Sequence, residues 1–270
     1  MASIQRLSFN QITANNWSLP QAVEGCVRLG VPSIALWRHK VHETGLRNSL
    51  QLVIDAGIHV SSLCRGGMFA AADAGERAQR MEDNFRAVDE AAELNADCLV
   101  LVVGAANGVT LENARSIVED AVGTLADYAK PRGVRLALEP LHPMYAAERS
   151  VLVTLEQALE LAARHEPARV GVIVDVFHVW WDPKLYQLLR SAGPRIFGFH
   201  VSDWLVPLPD LLMGRGMMGD GVIEIRKIRE AVDAAGYSGP IEVEIFNQAI
   251  WDLPGSEILA RVVERFEEFV

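Results

Sequence analysis

The 270-residue chain reads as one α/β domain, a closed (β/α)8 barrel covering residues 1–270. Eight short apolar runs alternate with longer amphipathic segments. The runs are apolar at nearly every position instead of every second one, the pattern of parallel strands covered on both faces. The length is that of eight strand–helix units closed into a single barrel. A doubly wound open sheet is the alternative, but the first run is followed by no glycine-rich dinucleotide fingerprint.

The eight runs are LSFNQ (7–11), SIALWR (33–38), HVSSLCR (59–65), CLVLVVG (98–104), RLALEPLH (135–142), VGVIVDVFH (170–178), IFGFHVSD (196–203) and IEVEIFN (241–247). After the first comes SLPQAVEGCVRLG, with Ser18 as N-cap, Pro20 in the first turn and Gly30 as the stop. ERAQRMEDNFRAVDEAAELN, charged along one face, precedes the fourth run. TLENARSIVEDAVGTLADYAKPRG starts on Thr110, with Glu112 and Asn113 just inside, and stops at Pro131 and Gly133. TLEQALELAARH, DPKLYQLLRSAG, IRKIREAVDAAG and a closing SEILARVVERFEEFV complete the helical set. No linker or low-complexity tract divides the chain.

Composition narrows the function. Half the residues are hydrophobic, enough for a large core, and the formal net charge is −10. The chain has no basic stripe of the kind that neutralises phosphates, so neither nucleic acid nor an anionic membrane surface is an expected partner. The N-terminal MASIQRLSFNQ has no apolar signal region, and the longest apolar stretch, around CLVLVVGAA, is far short of a membrane span. Cys26, Cys64 and Cys98 form no CxxC pair and read as reduced thiols, so a cytoplasmic location is expected. Cys64, beside Arg65 at a strand end, is the one cysteine placed to line a site.

Four polar residues stand at the ends of the last four runs: Glu139, Asp175, His200 and Glu244. A charge there is costly unless it is paired or bound to a cation. Barrel chemistry gathers at the C-terminal ends of the strands, and consecutive strands aim these four groups at one point. Three carboxylates and an imidazole form the ligand set of one divalent metal. Mn²⁺ suits it first, with Mg²⁺, Co²⁺ and Zn²⁺ as alternatives. His142 and His178 each follow a proposed ligand by three residues. Arg65 closes the third run, and Arg215 lies in the loop before GMMGDG, where its N–H fork can hold a hydroxyl or a developing oxyanion. Trp37, Phe177, Trp180, Trp181, Trp204, Phe246 and Trp251 crowd the same loops. Phe177, Trp204 and Phe246 are nearest the ligands and are the candidates for a sugar face. His39, His42, His59 and His165 read as structural or solvent-facing. No lysine occurs in any run, which disfavours Schiff-base chemistry. The absence of a basic cluster favours a substrate without phosphate.

LEPLHP, VDVFH, HVSDW, GRGMMGDG and EVEIF, in that order, make the chain resemble the xylose isomerase-like TIM-barrel superfamily of sugar isomerases and epimerases. The resemblance implies metal ligation by Glu139, Asp175, His200 and Glu244, and substrate contacts from His178 and Arg215. It also implies proton exchange with a keto-sugar through Glu139 and Glu244. LEPLHPM, VWWDP and EIFN are similar to a branch containing large subunits of C-glycoside deglycosidases. That branch implies lyase chemistry on 3-keto-glycosides, His142 as a base and a small partner subunit. The expected partners are a sugar or glycoside and further copies of the chain in a homo-oligomer.

Overall fold

Eight parallel strands close on themselves in the computed structural model, which describes residues 2–270. They are β1 (Leu7–Asn10), β2 (Ser33–Trp37), β3 (His59–Gly67), β4 (Leu99–Val102), β5 (Leu136–Leu138), β6 (Val170–Asp175), β7 (Ile196–Val201) and, last in the barrel, β10 (Ile241–Val243). β8 (Asp203–Trp204) and β9 (Arg215–Gly216) form a separate antiparallel pair above the barrel mouth. The ring runs β1-β2-β3-β4-β5-β6-β7-β10, and β10 returns to β1 with Leu7 beside Ile241.

The expected helices form where the caps place them. α1 (Leu19–Leu29) starts with a reciprocal Ser18–Gln21 capping box and ends on Gly30 at φ 69°. α4 (Ala74–Glu93) is capped by Asp73, α5 (Leu111–Ala129) by Thr110 and α6 (Leu155–Ala162) by Thr154. α8 (Leu185–Ala192), α9 (Ile225–Ala234) and α11 (Gly255–Phe269) complete the outer ring. α2 (Arg38–Thr44), α3 (Leu46–Ala56), α7 (Val176–Val179) and α10 (Gln248–Trp251) have no counterpart in the sequence reading. α2 and α3 start without a side-chain cap, as α8, α9 and α11 also do.

All four site-bearing runs are shorter than the sequence suggests, β7 ending at Val201. β5 stops at Leu138, β6 at Asp175 and β10 at Val243. At β6 the reason is local: Asp175 Oδ1 accepts the Phe177 N–H at 2.9 Å, capping α7 and turning the chain out of the sheet. His178 therefore sits on a helical turn, not on a strand. Glu139 and Glu244 remain tied to the rim, donating their N–H groups to Leu101 O (3.0 Å) and Val201 O (3.2 Å).

The outer faces of the strands and the inner faces of the helices share one large apolar core. Inside the barrel a small apolar plug of Cys64, Cys98, Val100, Ala137, Ile173 and Phe197 occupies the β3–β7 side. Gly171 makes room for it: a Cβ there would stand 2.7 Å from the Phe197 ring. Ser8, Ser61, His200 and Glu242 sit buried in contact with one another on the side formed by β1, β3, β7 and β10.

Candidate metal centre

Register brings the four predicted ligands together. Asp175 and His200 are direct neighbours across β6 and β7, and Glu139 and Glu244 follow the ends of β5 and β10. One ligand atom from each of the four lies within 4.8 Å of the others, and all four residues are buried. His200 Nδ1 is 3.3 Å from Glu139 Oε1 and 3.9 Å from Glu244 Oε2. Neither His200 Nδ1 nor Glu139 Oε1 has a hydrogen-bond partner, although both are fully buried. Two unpartnered buried polar atoms 3.3 Å apart, one on an imidazole and one on a carboxylate, form an arrangement that a cation resolves. The donor set fits a divalent metal with mixed oxygen and nitrogen preference.

Charge in the centre is already partly balanced. Arg215 Nη1 donates to Asp175 Oδ2 (2.8 Å) and Glu244 Oε2 (3.0 Å), and Nη2 lies 3.0 Å from His178 Nε2. Burial opposes the guanidinium charge, but Asp175 and Glu244 hold its pKa well above the usual value. Burial pushes Glu244 up to about 8; Arg215 pulls it down and Glu139 pushes it further up. Burial and the nearby Arg215 charge push His178 well below the usual imidazole value, so this ring is neutral.

Glu242, which the sequence reading passed over, stands behind His200. Its Oε2 lies 3.1 Å from His200 Nε2, and its Oε1 accepts from Ser61 Oγ at 2.8 Å. Asn10 Nδ2 reaches both Glu242 Oε2 and Glu244 Oε1 at 3.3 Å. The signal was present in IEVEIF: two glutamates two apart on a strand share a face. Burial opposes charge on both partners; Glu242, Glu139 and Glu244 nevertheless raise the His200 pKa well above normal, and His200, Ser61 and Ser62 lower that of Glu242.

A cavity of about 130 Å³ opens over the centre. Of the predicted residues, Glu139, Glu244, His178, Arg215, Arg65 and Phe246 line it. Asp175 and His200 lie beneath it with no exposed surface. His142, Phe177 and Trp204 are not in the lining. Phe177 is completely buried between Arg215, 4.8 Å from its ring centre, and Trp204, stacked at 4.8 Å. The His142 ring packs on Trp204 (4.9 Å), and its Nδ1 accepts the Met144 N–H at 3.2 Å. The His142 backbone N–H donates to His178 Nδ1 at 3.2 Å, so this residue supports His178. Cys64 does line the cavity, but burial, with Glu244 and Glu139 nearby, pushes its thiol far above the reactive range. Tyr145 and Arg149 complete the wall, and neither was foreseen.

The loop carrying Arg215 is pinned from below. Asp203 accepts from the N–H groups of Trp204 (2.8 Å), Gly219 (2.9 Å) and Ile223 (3.0 Å). Asn247 Nδ2 donates to Arg215 O at 2.8 Å. The HVSDW and EIFN segments thus fix the guanidinium over the carboxylates.

Known proteins share this architecture. A 3-dehydroshikimate dehydratase of Pseudomonas aeruginosa is 26% identical over 246 residues, 88% of this chain and 37% of that protein. An inosose isomerase of Bacillus subtilis is 27% identical over 159 residues, 56% of this chain and 54% of that protein. The chain thus spans between about a third and about half of the length of these curated relatives. A crystal structure of a Sinorhizobium meliloti 1021 protein superposes with a TM-score of 0.96 at 44% identity, over 99% of both chains. The IolI protein, solved with a bound zinc atom, superposes with a TM-score of 0.85 at 22% identity over 98% of both chains. Residues 23–268 match the family described as xylose isomerase-like TIM barrel, and the chain belongs to that family.

Proposed function

We propose that this chain is a divalent-metal-dependent isomerase or epimerase of a keto-sugar or related polyol, acting by proton transfer at carbon next to a carbonyl. The observation that carries this reading is the quartet of Glu139, Asp175, His200 and Glu244 at one point, with two of its carboxylates opening into the cavity. Mn²⁺ is the expected metal, with Mg²⁺, Co²⁺ or Zn²⁺ as alternatives. Bound there, it supplies Lewis-acid charge to a carbonyl and a neighbouring hydroxyl.

The chain's own residues then divide the work. One cavity-facing glutamate, Glu139 or Glu244, takes the proton from the carbon next to the carbonyl. The other returns a proton to the neighbouring carbon or to the opposite face. Arg215 holds the negative oxygen in place through its fixed N–H fork. Neutral His178, kept in orientation by the His142 main chain, faces a substrate hydroxyl. That Glu139 and Glu244 line the cavity supports them as the bases ahead of His142.

A second reading is a lyase on the same site. The dehydratase relative aligns over most of the chain, and the same carbanion expels a leaving group one carbon further on. Dehydration and cleavage of a 3-keto-glycoside are both of this type.

The test is elemental analysis of the purified protein, followed by incubation of inosose and ketohexoses in deuterated water. Deuterium enters at the carbon next to the carbonyl only with metal present. Glu244→Ala and His200→Ala each lower that exchange at least 10³-fold, in the range of losing a general base or its ligand set. Exchange that persists at full rate in metal-stripped protein overturns the reading.

A further inference from the structure

Half-buried arginines in this chain are satisfied almost without exception. Arg38 pairs with Asp83 and Glu90, Arg80 donates to Met68 O, Ala70 O and Glu76, and Arg195 donates to Ala162 O, Val170 O and His165 O. Arg6, Arg77, Arg135, Arg169, Arg229 and Arg265 also find carboxylates or main-chain carbonyls. Among the described residues two half-buried arginines have no side-chain acceptor: Arg65 and Arg149. Both line the one cavity above the carboxylate quartet. A guanidinium carries five donors, and leaving them unpaired where water is partly excluded is unfavourable.

We propose that Arg65 and Arg149 form an oxyanion-binding rim, and that the substrate is a cyclic polyol or ketone carrying a carboxylate. This rests on the proposed function, since it names the substrate class of that same site. The cavity is electrically bipolar. Its floor holds Glu139, Asp175, Glu242 and Glu244 against one arginine and one imidazole. With the proposed metal held by the floor, hydroxyl and carbonyl oxygens face it, and a separate anionic group sits at the rim beside the two unfilled guanidinium forks. Arg149 is set by the Tyr145 ring, 5.8 Å from its guanidinium carbon, and Tyr145 is itself held by a hydrogen bond to Leu211 O. Glu148 also lines the cavity and is exposed. The rim therefore carries a net single positive charge, which matches a carboxylate better than a phosphate dianion. A carboxylate on this rim agrees with the expectation of a substrate without phosphate, and no basic run announced the rim because Arg65 and Arg149 come from distant segments.

The experiment is calorimetric binding to the Mn²⁺-loaded protein of three unreactive rings: myo-inositol, shikimate and myo-inositol 1-phosphate. Shikimate binds about tenfold or more tightly than myo-inositol, the equivalent of one charge-assisted contact. Arg65→Gln and Arg149→Gln each shrink that ratio severalfold, and the double variant brings it to about one. Equal affinity for the acid and the neutral ring overturns the proposal, as does a variant that weakens both rings equally. Tighter Arg-dependent binding of the phosphate than of shikimate overturns the carboxylate assignment. Metal content and deuterium exchange are read separately: protein that holds metal and exchanges deuterium without preferring the acid loses the rim alone.

Discussion

In the proposed metal centre, Glu242 illustrates the part played by residues that do not touch the metal. A ligating imidazole needs its far nitrogen held, and a carboxylate does this by fixing the ring and raising its basicity. Glu242 is placed for that task, 3.1 Å from His200 Nε2, and Ser61 fixes its other oxygen. Glu242→Gln keeps the shape and removes the charge. It is expected to weaken Mn²⁺ binding by about 10–100-fold, measured by competition with a fluorescent chelator. An unchanged dissociation constant refutes the role. IEVEIF offered Glu242 and Glu244 equally; only their positions distinguish the ligand from its support. His142 is the reverse case. The resemblance implied a base role for it, and in the structure its ring nitrogen accepts a main-chain N–H two residues on.

At the level of elements, small residues and pairs at strand ends keep the barrel in register. A Cβ on Gly171 would stand 2.4 Å from Arg195 O as well as meeting the Phe197 ring. Gly171→Ala therefore overpacks the plug and is expected to cost about 1–3 kcal/mol, read as a lower midpoint in urea unfolding. An unchanged midpoint contradicts this packing. Where β3 begins, His59 Nε2 lies 2.7 Å from Asp97 Oδ2. The hydrogen bond to Asp97, helped by its charge and opposed by burial, raises the His59 pKa above its usual 6.5. A raised folded-state value stabilises the fold at pH values below the unfolded one. That contribution fades as pH climbs through the raised value. The stability difference between wild type and His59→Gln should then be greatest at about pH 5.5 and absent at alkaline pH. A difference that grows with pH contradicts the pairing. The strands and capped helices of this layer were legible because their signals are local: Ser18, Thr110 and Gly30 act within a turn of the backbone they serve. α2 and α3 were not read from the sequence; both start without a side-chain cap, as do α8, α9 and α11, which their apolar periodicity revealed.

For the whole molecule, the ring of eight strands turns separate sequence segments into one electrostatic object. Glu139, Asp175, Glu242 and Glu244 are buried together at the barrel mouth, whereas most of the chain's 35 acidic side chains are not buried. No helix among the described residues is long and apolar enough to cross a membrane. The amino-acid sequence by itself determined the barrel and nominated its four ligands, because hydrophobic periodicity and a charge at the end of an apolar run are one-dimensional signals. Only the tertiary structure decided where β5, β6 and β10 stop, that Glu242 backs His200, that Phe177 lies under Arg215, and that Arg65 and Arg149 share a cavity. Those facts depend on distances between residues far apart in the chain, and closure of the barrel is what sets them.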